Sequence, residues 1–493
     1  MPNKSVAIRY ALLTLALLPT VAHAGVDTPV AAAGNVVAPL GRGGTYPLLL
    51  PAPPGPAPYQ VQVHGGPRGI TVRSPTGLSG TVQARITVPP STPVGAWPLR
   101  LTVRAANGQE QVSRGWLLVD GLFVTIAGKH PHVMAYSPTG KPVPMPGAFA
   151  GLIHPVDMAY RARDNTLYVA DAGQDNAGGS PGGIRVFSNT GAPAVSAFPA
   201  INHPTVITDD DGRFLVAGDS GSNWWIMNDA GLVIGKSGVG SPVFSGWNSS
   251  PQGIASAQGR VYIPWGEGYP SGVRVYTLNG HRIRMPGAFP DTGGTEQHMD
   301  TPMASPNGVA WSPRRHLVYV MYRIDHSRSR LAIRAYGPEG QPVAMAGGFS
   351  GLGGWSSVRH LANQLAVSAI TGDVYAISGH HTVNIYSPDG RSLGSFPVPA
   401  AATSILAVPY GWQRHAAAST TLPDGIPMAR TESSACPPGY TCVPAQRTTV
   451  ASATSVHRRV SRGSGNVMQD AANQVSTVSN LAWSISNLAN ALP

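Results

Sequence analysis

Ten side chains able to ligate a metal or move a proton fall in stretches that read as connections: His154, His203, Asp291, Glu296, His298, Asp300, His326, His360, His380 and His381. Imidazole and carboxylate together suit a transition metal. No His-x-His or His-x-x-x-His pair stands among them on a regular element, and they come from separate parts of the chain. The pattern predicts hydrogen-bonded loop residues on one candidate binding face, with imidazoles able to answer pH near about 6.5. It predicts no ligand set, and no cofactor is expected. A second group, Thr205, Gln252, Asn307 and Asn363, occupies equivalent points of a repeated unit together with Val156, and is expected to line a central channel. None of the five is a carboxylate. Calcium needs anionic oxygens to offset its dehydration, so such a lining grips it poorly. The two cysteines, Cys436 and Cys442 in Cys-Pro-Pro-Gly-Tyr-Thr-Cys, suggest a small disulfide loop if the chain is exported, and are too few for structural zinc.

Other chemistry is missing from the pattern. There is no Gly-x-Ser-x-Gly elbow, no Gly-Lys-Ser/Thr phosphate loop and no Cys-x-x-Cys-His haem attachment. Asp209-Asp-Asp-Gly212 lacks the downstream Glu of a calcium loop and reads as a turn.

The elements that must carry these residues repeat. An apolar alternation ending in a Gly turn recurs as Val133–Gly140, Ile184–Gly191, Trp224–Gly231, Val273–Gly280, Ile333–Gly340 and Val383–Gly390. Aligned on Tyr136, Phe187, Met227, Tyr276, Tyr336 and Tyr386, the spacings are 51, 40, 49, 60 and 50. The other half of the unit runs from His154-Pro, His203-Pro, Ser250-Pro, Ser305-Pro or Leu361-Ala into strands such as Leu167-Tyr-Val-Ala-Asp171. A period near fifty with two hairpins is the length of a four-stranded propeller blade, and six copies predict six blades. Thr403–Val408 would be the inner strand of the last blade, completed by Leu117–Ile126, which removes free sheet edges. Met145, Met285 and Met345 recur before Gly-x-Phe segments and read as packing residues.

Gly147-Ala-Phe149, His154-Pro155, Leu167-Tyr-Val-Ala-Asp171 and Ile184-Arg-Val-Phe187 together resemble the NHL repeat over roughly 120–412. That likeness implies a six-bladed propeller used as a binding platform. The third copy lacks the Arg and the fifth lacks Pro-x-Gly. Ser305-Pro-Asn-Gly-Val-Ala-Trp-Ser-Pro also resembles the gluconolactonase-like hydrolases, which implies that Asn307 would help hold a catalytic divalent cation. The Glu and Asp-Gly of that family find no match here.

The 493 residues include 59 Gly and 47 Pro but only 12% charged residues, which favours many short strands joined by tight turns. Residues 1–24 read as a secretory signal: Lys4 and Arg9, an apolar run, then Ala-His-Ala24. A periplasmic or secreted protein with no membrane-spanning segment in its mature chain is expected. Residues 25–119 carry the Ile86–Gly108 stretch, which resembles the late strands of a bacterial immunoglobulin-like β-sandwich. Residues 120–412 form the propeller, with Lys+Arg and Asp+Glu nearly balanced at 19 and 18, so no nucleic-acid partner is expected. Residues 413–465 read as a flexible low-complexity tail. Residues 466–493 bear an apolar stripe, Val467 to Leu492, on an amphipathic helix able to self-associate. The fold class is thus all-β: a six-bladed propeller with an N-terminal β-sandwich. The function expected is an exported, non-catalytic scaffold for a protein or glycan, with a divalent-metal hydrolase or an envelope assembly protein as alternatives.

Overall fold

The computed structural model describes residues 35–410 except 79, 175–180, 211, 219–222, 238–250, 266–271, 287–288, 290–304, 324–330, 353–362, 380 and 400. Outside the described residues lie the segments read above as a signal, a tail and an amphipathic helix, both cysteines, and Asp291, Glu296, His298, Asp300, His326, His360 and His380. Within them the fold is all-β and contains no helix.

Seven strands come first: β1 Val36–Pro39, β2 Gly44–Pro51, β3 Gln60–Gly65, β4 Thr71–Leu78, β5 Thr81–Val88, β6 Gly95–Arg104 and β7 Glu110–Ile126. Strict alternation drives their pairing. In β5, Val82, Ala84, Ile86 and Val88 are buried while Thr81, Gln83 and Arg85 face water, the signature of a half-buried strand. One sheet has the order β2-β5-β4; in the other, β3-β6-β7 is joined by β1 running parallel to β7. Their apolar faces share one core, with Leu48, Ile86, Leu101 and Leu117 among its members.

β7 is 17 residues long and serves two sheets. Its first part pairs with β6 and β1. From Gly121 on it pairs with β8 (His132–Tyr136) and β30 (Ala402–Val408), and β8 carries β9 (Pro142–Val143). This run, β30-β7-β8-β9, is sheet VI.

Five further four-stranded antiparallel sheets lie between. Sheet I holds β10 Pro155–Arg161, β11 Thr166–Gly173, β12 Pro181–Ser188 and β13 Pro193–Ala194. Sheet II holds β14 Val206–Asp209, β15 Arg213–Gly218, β16 Asn223–Asn228 and β17 Val233–Ser237. Sheet III holds β18 Ala255–Ala257, β19 Arg260–Trp265, β20 Gly272–Thr277 and β21 Arg282–Ile283. Sheet IV holds β22 Ser305–Ser312, β23 Leu317–Arg323, β24 Leu331–Tyr336 and β25 Pro342–Val343. Sheet V holds β26 Leu365–Val367, β27 Val374–Ser378, β28 Thr382–Tyr386 and β29 Ser392–Pro397. The first strands pack in sequence, β10 on β14 and so on to β26 on β30, and β30 returns to β10. This is the construction of a β-propeller.

The repeated Gly turn has one physical solution. In each copy the Gly N–H bonds back three residues, as from Gly140 to Ser137 and from Gly390 to Ser387, both at 2.9 Å. All six turn glycines have φ between 74° and 87°, a region that a side chain strains. The Gly-x-Phe segment plugs the next sheet at that turn. Phe149, Phe289 and Phe349 donate their N–H to the carbonyls of Gly191, Gly340 and Gly390. Their rings stand edge-on or tilted between aromatics of neighbouring sheets: Phe349 lies 5.9 Å from Tyr319 and 5.3 Å from Tyr386. Met145, Met285 and Met345 pack against the cores beside them.

The N-terminal sheets rest on the turn ends. The Asn165 carboxamide, in the β10–β11 turn, accepts from Ala96 N at 2.8 Å and donates to Ala96 O at 2.9 Å. Asn189, in the β12–β13 turn, donates to Val94 O at 2.6 Å. Ile370, from the β26–β27 turn, joins the N-terminal core.

Candidate functional site

The first strands enclose a cavity of about 50 Å³ whose wall includes Ile207, Ile254, Val309, Ile405, Asn363 and Asp209. Of the four residues expected to line a channel, Asn363 is part of this wall. Its carboxamide bridges sheets, accepting from Val309 N at 2.9 Å and donating to the carbonyls of Val309 and Ile254. Thr205 is turned to its own sheet, its hydroxyl 3.4 Å from the Ala217 carbonyl. Gln252 is half-buried just before β18, and Asn307 is buried at a bulge between Pro306 and Gly308. The same bulge falls between Pro155 and Asp157 and between Ala402 and Ser404, so it is a repeated backbone feature. At Thr403 its hydroxyl bonds Thr125 at 2.7 Å and the Pro155 carbonyl at 3.0 Å.

The neutral lining inferred from those positions is incomplete. The wall also includes Asp209, and β10 carries the buried Asp157 one residue past its bulge. Asp209 was read in the sequence as part of a turn, whereas Asp157, next to the expected channel position Val156, was not considered. Asp157 accepts from Ile207 N of β14 at 3.0 Å and from the Ser404 hydroxyl of β30. It thereby links three consecutive first strands. Burial pushes its carboxyl up to about 7 against these bonds. Asp209 closes the β14–β15 turn by accepting from Gly212 N at 2.8 Å. Val156, Thr205, Gln252, Asn307 and Asn363 supply no carboxylate, and the Asn363 carboxamide is bonded to backbone. This donor set does not fit a divalent cation, which needs anionic oxygens free to ligate. Among the described residues no three His, Cys, Asp or Glu side chains gather to hold a metal ion.

The opposite end carries the connections between second and third strands. His154 is half-buried where the chain enters β10, His203 is half-buried before β14, and His381 is exposed between β27 and β28. Asp171, the last residue of the Tyr-Val-Ala-Asp segment, is fully buried. It accepts from Ile153 N at 3.0 Å and His154 N at 2.6 Å, so it holds the strand entry in place.

The Arg of the repeat marks a station whose partners only strand register shows. Register places Arg185, Trp225, Arg274, Arg334, Asn384 and Met134 at one point of the third strands. Two residues further along each second strand stand Asp171, Gly218, Trp265, Tyr322, Ser378 and Ile126. Four of these diagonal pairs touch with different chemistry. Arg185 Nε lies 3.6 Å from the Asp171 carboxylate, and the Arg334 guanidinium sits 5.6 Å above the Tyr322 ring. Asn384 donates to the Ser378 hydroxyl at 2.5 Å. Gly218 leaves room for the Trp225 indole, which a Cβ would meet at 2.9 Å, and Lys236 of β17 lies 5.2 Å over that indole. In the aligned copies this is the varying residue two places before Tyr136, Phe187, Met227, Tyr276, Tyr336 and Tyr386.

No family model matches the sequence, and no curated protein matches it. Solved structures do align with it. One is the crystal structure of a nidogen/laminin complex, 13% identical with a TM-score of 0.41. Another is a protein of unknown function from Bacteroides caccae, 14% identical with a TM-score of 0.39. A third is the periplasmic gluconolactonase PpgL of Pseudomonas aeruginosa, 13% identical with a TM-score of 0.34. Each alignment covers 58% of this chain and 98% of the other.

Proposed function

We propose that the chain is an exported, non-catalytic binding scaffold: a six-bladed NHL-like propeller on an immunoglobulin-like sandwich, engaging a protein or glycan through its loop end. One observation carries the reading. Among the described residues, three polar groups of the first strands and their entries are bonded to backbone: Asp157 to Ile207 N, Asp171 to Ile153 N and His154 N, and Asn363 to Val309. A catalytic acid, base or metal ligand must instead present a free lone pair or proton to the reacting atoms.

The six-blade reading is supported by sheet VI beside sheets I to V and by the packing of β30 on β10. The sandwich reading rests on β1 running parallel to β7 at the edge of one sheet, facing the β2-β5-β4 sheet across a shared core. Export rests on residues 1–24, and places the partner in the periplasm or outside the cell. Because the N-terminal sheets hold turns of sheets I and V, the loop end is the end left for a partner.

Calorimetric titration of the intact protein with calcium and zinc, beside a lactone-hydrolysis assay, tests the reading. No stoichiometric heat and no turnover are expected. Tight one-to-one cation binding that is lost in Asn307→Ala, with turnover, overturns it.

A further inference from the structure

The N-terminal sheets meet the turn end at two seats of different chemistry. At sheet I the contact is made by amides: Asn165 accepts from Ala96 N and donates to Ala96 O, and Asn189 donates to Val94 O. Tyr160 donates its hydroxyl to Asn165, and burial raises its pKa well above the ordinary tyrosine range. None of these groups changes charge near neutral pH.

At sheet V the seat is the β26–β27 turn, from Ser368 to Asp373. Ile370 sits in the N-terminal core, and Ser368 donates to the Asp120 carboxylate at 3.4 Å. Asp120 is the β7 residue between the two pairings, since Val119 faces Gly95 and Gly121 faces Val408. Asp373 ends the turn, where it accepts from the Thr371 hydroxyl at 2.8 Å, and its charge acts on Asp120. Three further groups face the pair. The Gly121 backbone N–H favours ionised Asp120, and Tyr375 of β27 is buried beside both acids with its pKa raised well above the ordinary range. Arg314, from the β22–β23 turn, acts on Asp373 while donating to the carbonyls of Ile370 and Thr371 at 2.9 and 3.1 Å. A buried carboxyl with one long side-chain bond and a second acid nearby costs far more as the anion than as the neutral acid.

We propose that the sheet V seat is a proton-operated latch: while Asp120 is protonated the β26–β27 turn stays on the N-terminal core, and once it ionises beside Asp373 the turn lifts, with the amide seat on sheet I as the pivot. The latch goes beyond the scaffold reading and does not depend on what the loop end binds. Burial and Asp373 raise the Asp120 carboxyl to about 8 in the closed seat, whereas a solvated aspartate titrates near about 3.9. The closed form therefore binds the proton more tightly. Its advantage is complete below about pH 4, and the opening constant rises about tenfold per pH unit from there until about pH 8. Lifting one turn hydrates the acids while the sheets stay paired, so the opening is local.

The test is hydrogen exchange of the full-length protein, read by mass spectrometry from about pH 5 to about pH 9, with each rate divided by the intrinsic rate at that pH. Peptides covering Gln364 to Ile377 should lose protection about tenfold per pH unit up to about pH 8. Peptides covering β15 of sheet II should stay better protected at every pH, and urea below the unfolding transition should speed their exchange but not that of the turn. Asp120→Asn should hold the turn's protection within about threefold across the range. Asp373→Asn removes the second charge, so the loss should end at lower pH and be smaller. Asp389→Asn replaces a half-buried acid of the same sheet that Ser387 and Arg391 hold ionised, and should match the parent. A parent turn whose protection is unchanged by pH, or an Asp120→Asn turn that loses protection like the parent, overturns the latch. So does loss at β15 equal to that at the turn in size and urea dependence, which marks global unfolding. If Asp120→Asn fails to fold, the parent and Asp373→Asn carry the test, and identical profiles overturn the latch.

Discussion

Asp120 offers the sharpest test of the architecture, because it sits where β7 passes from the N-terminal sheets to sheet VI. It is 4% exposed and lies 3.4 Å from the Ser368 hydroxyl, which donates to it. Burial, reinforced by the negative charge of Asp373, pushes its carboxyl up to about 8. In an unfolded chain an aspartate titrates near about 3.9. The native state therefore binds this proton more tightly, so the associated stability is complete below about pH 4 and is lost as pH rises through about 8. A separation of about four pKa units, at about 1.4 kcal/mol each, makes the loss on the order of 5 kcal/mol. Asp157, also raised, and Asp373, raised by its own burial, act with the same sign. Asp120→Asn keeps the shape and removes the charge, and its amide can donate toward Asp373. Urea denaturation followed by circular dichroism should find the variant within about 1 kcal/mol of the parent at pH 4 and several kcal/mol more stable at pH 9. A variant whose stability falls with pH as steeply as the parent's refutes the reasoning.

Gly95 has φ near +147°, and a Cβ there would collide with Asn165 Oδ1. Gly95→Ala should therefore disrupt the bonds between Ala96 and Asn165 and lower the melting temperature, at a cost of roughly 1–3 kcal/mol. Gly147→Ala would drive a Cβ into the backbone of the Gly191 turn, whereas a Cβ on Gly183 meets nothing within 4 Å. The first variant should express poorly or melt early and the second should behave as the parent, checked side by side by calorimetry. Phe349→Ala removes a ring packed between Tyr319 and Tyr386, and should cost about 3–5 kcal/mol in chemical denaturation.

The propeller-like build was readable because its turn imposes a residue type. Only Gly fits φ near 80° at no strain, so positions 140, 191, 231, 280, 340 and 390 announce themselves at regular intervals. The Phe of Gly-x-Phe was visible, but not its task, since its partners Tyr319 and Tyr386 lie on different sheets and no spacing links them. The acids were harder still. Asp120 and Asp157 stand in apolar strands whose burial reads as continuous hydrophobic sequence, and their partners Ser368 and Ser404 are 248 and 247 residues away. The station divides in the same way: its Arg was visible in the copies, but its partners Asp171 and Tyr322 needed strand register to align the third strand with the second.

That register also explains why variation gathers at one end of the sheets. At the turn end every copy supplies a Gly of positive φ, and at Gly191, Gly340 and Gly390 a Phe from a neighbouring sheet's segment bonds to that turn, so a change there disturbs two sheets at once. At the station between Arg185 and Met134 the four contacts described each join residues of one sheet. A salt bridge, a hydroxyl–amide bond, a stacked cation or an indole over glycine can serve there without altering the neighbour. Binding residues can therefore change at the loop end while the ring keeps its geometry. The same separation predicts that substitutions across sheets at this station add in their effects on stability, within about 0.5 kcal/mol, whereas paired changes at a Phe plug and its two flanking tyrosines do not.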